Sequence, residues 1–98
     1  MRKFLIAAIV ASTAGAPALA TGKMTCDVAE ADRHPIEHLE AKLKTDGWAV
    51  RKAKVDGGCY EVYATDDEGR RVEAYFDPAT FEKLYVSQRG KVLFEKAD

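Results

Sequence analysis

The chain has 98 residues, 47% of them hydrophobic and 32% charged, and its formal net charge at pH 7 is −1. That balance excludes the strongly basic footprint that nucleic-acid binding requires, and the length excludes a second sizeable core. Two cysteines and two histidines leave little material for redox or metal chemistry.

The opening segment, MRKFLIAAIVASTAGAPALA, places Arg2 and Lys3 before an apolar run from Phe4 to Ala11, followed by Gly15, Pro17 and Ala18-Leu19-Ala20. This is the layout of a secretory leader cleaved after Ala20. The run is well short of the ~20 residues a membrane span needs, so no membrane insertion is expected once the leader is gone. Thr21 follows the cut and offers no thiol for lipid attachment. Residues 21–98 are therefore expected to be one exported domain, periplasmic or secreted. Loss of Arg2 and Lys3 takes its formal charge from −1 to −3.

So small a domain buries a thin core and gains from a covalent aid. Cys26 and Cys59 read as one disulfide, against a free buried thiol or a bridge between chains; no CxxC redox motif is present. Residues 21–33 have no sustained period and form an extended lead, tied down at Cys26.

A helix is expected over residues 35 to 45. Pro35 suits its first position, Ile36, Leu39 and Leu43 recur at i, i+3 and i+7, and Glu40 and Lys44 make a favourable i, i+4 pair. Gly47 ends it, because glycine enters the left-handed region without steric cost. The stretch from Gly47 to Pro78 then reads as a three-strand meander, with turns at Asp56-Gly57-Gly58 and Asp66-Asp67-Glu68-Gly69. In the first strand Trp48 and Val50 share one parity and Ala53 and Val55 the other, so a bulge near Arg51 and Lys52 is needed to bring both sets to the core. Tyr60, Val62 and Ala64 in the second strand and Val72, Ala74 and Phe76 in the third turn inward. After the Asp77-Pro78-Ala79-Thr80 turn, Phe81 to Ser87 supplies a fourth strand with Leu84 and Val86 inward. Beyond Gln88 the chain either turns at Arg89-Gly90 into a short strand Val92-Leu93-Phe94 or packs as an arm. The expected fold is α+β: one N-terminal helix on an antiparallel sheet of three to four strands, a β-meander. Its core should hold Ile36, Leu39, Leu43, Val50, Val55, Tyr60, Val62, Val72, Ala74, Phe76 and Leu84.

Residues 34–38, HPIEH, match the H-x-x-E-H zinc-protease pattern formally. Pro35 puts His34 at or outside the helix start, and a third ligand is missing, so His34 and His38 are only weak metal candidates and no catalytic site or cofactor is expected. The acidic turn lacks the ligand spacing of a calcium loop and reads as turn chemistry. Arg51, Lys52, Lys54, Arg70 and Arg71 could cluster on neighbouring strands, with Glu61 and Glu73 neutralising them across the sheet. Strand parity also places Tyr63, Tyr75 and Tyr85 on the face away from the helix, with Glu61, Arg71 and Glu73 around them. That aromatic face is the candidate protein-binding surface; cross-strand shielding of the sheet and peptide capture at an edge strand are the other readings.

The ordered set Leu39-x-x-x-Leu43, Gly47-Trp48-Ala49-Val50, Cys59-Tyr60-Glu61-Val62, Gly69-Arg70-Arg71-Val72 and Phe76-Asp77-Pro78 resembles the PepSY family, in its secreted single-domain form. The resemblance spans about Cys26 to Val86. Ala79-Thr80-Phe81-Glu82 departs from the family's usual x-Thr-Gly-Glu, with Phe81 at the glycine position. The resemblance implies a non-catalytic module of the cell envelope that binds or regulates a protein partner such as a protease. The alternative is a periplasmic small-ligand or metal-binding protein.

Overall fold

The computed structural model describes residues 24–97. The leader expected at residues 1–20 and its cleavage site lie outside the described residues. A short 3-10 turn at Glu30–Asp32 precedes one helix, α1 (Ile36–Thr45). Five strands follow: β1 (Ala49–Asp56), β2 (Cys59–Thr65), β3 (Arg71–Phe76), β4 (Lys83–Gln88) and β5 (Lys91–Glu95). They pair antiparallel in chain order, β1-β2-β3-β4-β5. The α+β meander stands, but the sheet has five strands rather than the three to four expected. The extra strand comes from the tail: Arg89 (φ 52°) and Gly90 (φ 83°) both adopt positive φ, the two-residue hairpin turn whose twist suits antiparallel strands.

Pro35 caps α1 from just outside, one position earlier than expected. At the other end Trp48 N–H donates to the Leu43 carbonyl (2.9 Å) and Gly47 N–H to the Lys44 carbonyl (3.0 Å), with Gly47 at φ 94°. These are the two bonds of a Schellman motif, so the glycine stop follows from its lack of a Cβ. In place of the expected Glu40–Lys44 pair, the i, i+4 ion pair is Lys42–Asp46 (2.9 Å).

Leu39 and Leu43 carry α1 onto one face of the sheet, where they pack with Tyr60, Val62, Ala64, Val72, Ala74, Phe76 and Val86. Ile36, Val50, Ala53, Trp48, Phe81 and Leu93 close the rim of this cluster. The β1 bulge falls where alternation failed: Val50 pairs with Ala64 but Lys52 with Tyr63, leaving Arg51 as the extra residue. Two expected core residues are placed otherwise. Val55 is 52% exposed, because it lies on the outermost strand next to a turn. Leu84 is buried, but against Cys59, Tyr75 and Tyr85. The register explains it: Tyr75 pairs with Tyr85 while Phe76 pairs with Lys83, so Leu84 is the extra residue of a second bulge and turns to the sheet's other face.

The β3–β4 turn shows what became of the missing family glycine. Phe81 itself takes φ 64°, a left-handed conformation that costs a residue with a Cβ of order 1 kcal/mol. Its N–H donates to the Asp77 carbonyl (2.7 Å), and the Asp77 side chain accepts from Ala79 N–H (2.7 Å). The ring offsets the strain by packing edge-on to His34 (5.8 Å between centroids) and beside Tyr60 (6.5 Å). Tyr60 in turn donates its hydroxyl to the His34 carbonyl (2.6 Å), which fixes the approach to α1.

Candidate functional site

The second face of the sheet is divided in two. At the β1–β2 end, Cys26 is bonded to Cys59 (S–S 2.05 Å), and Cys26 N–H donates to the Gly57 carbonyl (2.8 Å). The lead passes so close here that a Cβ on Gly58 would lie 2.2 Å from the Cys26 carbonyl oxygen, so residue 58 has to be glycine. Met24 and Cys26 then pack on Cys59, Tyr75, Leu84 and Tyr85. Tyr75 is 1% exposed, its ring lies edge-on to Tyr85 (6.0 Å), and its hydroxyl donates to Asp56 Oδ2 (3.0 Å).

This corrects the expected aromatic surface. Tyr75 and Tyr85 do lie on the face away from the helix, but the disulfide-held lead buries them, and they form a second small core. Strand parity assigns a face and says nothing of what covers it. Glu61 is buried as well, at 1% exposure. The Lys54 ammonium stands 3.7 Å from its Oε1, an ion pair longer than a hydrogen bond, and Oε1 has no hydrogen-bond partner among the described residues.

The other half of the face, toward the β2–β3 and β4–β5 turns, carries Tyr63, Arg71 and Glu73 from the expected set. Arg51, Ser87 and Arg89 join them around a groove of about 220 Å³. Arg51 arrives as the residue of the β1 bulge, and Arg89 from the primed turn. Tyr63 lies between Lys52 on β1 and Glu73 on β3. The Lys52 and Lys54 ammoniums are 5.9 and 5.7 Å from its ring centroid, cation–π distances. Burial first, and then the Glu61 carboxylate, push the Tyr63 phenol above its ordinary pKa, with Lys54 opposing.

Arg70 does not join the basic cluster as expected. Its Nε donates to Asp66 Oδ2 (2.8 Å), while Asp66 Oδ1 accepts from the backbone N–H groups of Glu68 and Arg70 (2.9 Å each). Burial alone would raise the Asp66 carboxyl; the hydrogen bonds from Arg70 and Glu68 outweigh it and hold the group below the usual carboxylate range. Sequence reasoning missed Arg89, because its place depends on β5, and the only hint was the Arg-Gly pair as a primed-turn signal.

His34 lies before α1 and His38 in its first turn, both exposed. Among the described residues no group of three or more His, Cys, Asp or Glu side chains could hold a metal ion, and no helix is long and apolar enough to cross a membrane. A larger groove of about 500 Å³ runs along the outer side of β1, between Trp48, Val50 and Arg51 and the helix residues Glu40 and Lys44.

Among curated proteins and among solved structures, nothing matches the chain. The family model described as peptidase propeptide and YPEB domain does, over residues 4–85. Domains of this kind are generally non-catalytic and typically extracellular or periplasmic. With a match over most of its length, on a fold of one helix and an antiparallel meander, the chain belongs to the PepSY family.

Proposed function

We propose that the protein is an exported, non-catalytic module that binds an envelope protein, such as a protease, and regulates it. The secretory leader expected at residues 1–20 would deliver residues 21–98 as the working domain to the periplasm or the exterior. The observation that carries the reading is the division of the second sheet face: a disulfide-held lead closes one half, and the other half stays open around Tyr63, Arg71 and Glu73. A partly polar sheet surface around an aromatic ring suits protein recognition, because the Tyr63 ring offers contact area with little rotamer freedom to lose. The test is to add purified residues 21–98 to fractionated envelope proteases and follow peptide hydrolysis. A dose-dependent change in the activity of one fraction is expected. It should be lost with Arg71→Glu and retained with Lys42→Glu, a reversal on the exposed side of α1. Unchanged hydrolysis in every fraction would sink the reading.

A further inference from the structure

We propose that the open half of the sheet face takes a short, extended, acidic segment of its protein partner, laid across the strands from Arg51 to Arg89. This deepens the binding reading above and rests on it. Charge distribution is the first ground. Although the chain as a whole is slightly acidic, Arg51, Arg71 and Arg89 line one groove, with the Lys52 and Lys54 ammoniums over the adjoining Tyr63 ring. Among the described residues that line the groove, Glu73 is the one carboxylate. Glu61 is buried and paired with Lys54, and Glu40 meets Arg51 on the helix side, in the neighbouring groove. Arginine forks meet carboxylates through two parallel hydrogen bonds, so this is a surface made for Asp and Glu side chains.

Shape is the second ground. At about 220 Å³ the groove is smaller than pockets that enclose a small molecule, which run from roughly 300 Å³ upward, so its occupant lies across it. Its lining comes from β1, β2, β3, β4 and the turn after β4 in succession. Strands lie about 4.8 Å apart, so β1 to β4 is a path of about 14 Å, the length of roughly four extended residues. Glu73, in the middle of the path, has an acceptor for a backbone N–H of such a segment and repels dense polyanions. The acidic Asp66-Asp67-Glu68 turn joins β2 to β3 at this same end of the sheet, so a long polyanion would meet repulsion beyond the groove.

The experiment is fluorescence anisotropy on residues 21–98 with labelled Gly-Ser peptides carrying two, four or six consecutive Glu, at low and at physiological salt. Affinity is expected to rise from two to four Glu and then level off, and to weaken with salt as surface pairing does. The matching Lys peptide should not bind. Arg71→Glu and Arg89→Glu should each weaken binding by roughly tenfold or more, and Lys42→Glu should leave it unchanged. Arg71→Gln and Arg89→Gln, which add no repulsion, serve as milder replacements, and circular dichroism confirms that each variant is folded. No binding of the four-Glu peptide at low salt overturns the proposal, as does binding indifferent to both arginines. Equal affinity for an oligonucleotide of the same charge would also overturn it, because the surface would then read charge alone. If the peptide binds as expected but no protease fraction responds, the regulatory function fails and the groove stands. If a protease responds and both arginine reversals leave that response intact, the groove fails and the function stands.

Discussion

At the scale of single residues, the structure places strain and charge where composition could not. Phe81 holds a conformation suited to glycine because its ring packs on His34 and Tyr60. Truncation should separate the two effects. Phe81→Gly and Phe81→Ala should both be less stable than the parent, yet the glycine variant should be the more stable of the two by about 1 kcal/mol in chemical denaturation, against the usual order. An alanine variant as stable as the glycine variant would mean that residue 81 is not left-handed. Tyr63 gives a spectroscopic check on the groove. Its phenol is raised by burial and by Glu61, so Glu61→Gln should lower its pKa toward the ordinary value of 10.0, and Lys54→Met should raise it further. Site-resolved NMR titration of the tyrosine ring carbons reads both shifts; a Tyr63 pKa unmoved by Glu61→Gln would show that the carboxylate does not face the ring.

At the scale of elements, α1 is too short to be stable alone and is held by its apolar stripe. Leu39 is fully buried and Leu43 nearly so. Leu39→Ala should therefore cost ~2–5 kcal/mol, measured as a shift of the denaturation midpoint at constant slope. A loss under about half a kcal/mol, the level of an ordinary surface change, would mean that α1 is not docked by this side chain. The strands show how bulges allocate residues. In β1 the bulge allows Val50 and Ala53 to serve one core despite their opposite parity. In β4 the bulge sends Leu84 to the lead and keeps Val86 under the helix.

At the scale of the whole molecule, the disulfide decides which half of the second face is surface. On the chain-entropy account, closing the loop between Cys26 and Cys59, a separation of 33 residues, stabilises the fold by roughly 3–4 kcal/mol. Reduction, or Cys26→Ser, should lower stability by an amount of that order. It should also release the lead, so that Tyr75 and Tyr85 become accessible to tyrosine nitration while Tyr60, buried under the helix, stays protected. Protection of all three in the reduced, folded protein would mean that the lead stays docked without its bond. Binding of the acidic peptide should survive reduction better than stability does, because Arg51, Arg71 and Arg89 lie at the opposite end of the strands.

Much of this architecture is local chemistry and so was legible in the sequence. The Ile36-Leu39-Leu43 period, the Gly47 stop, the Asp-Gly turns and the broken alternation at Arg51 each depend on a few neighbouring residues. They determined the helix, the meander and the first bulge, and the paired cysteines pointed to the disulfide. Parity also placed Tyr63, Tyr75 and Tyr85 on one face. The exposure of that face was a different matter, because it depends on where a patternless lead runs once Cys26 reaches Cys59. The second bulge depends on how Phe81 resolves a turn without glycine, and β5 on whether the tail finds a partner strand. Each of these is a contact between segments distant in sequence or without a period of their own. Only tertiary packing could bury two of the tyrosines, leave the third beside Arg71, and bring Arg51 and Arg89 from two different irregularities of the backbone to one groove.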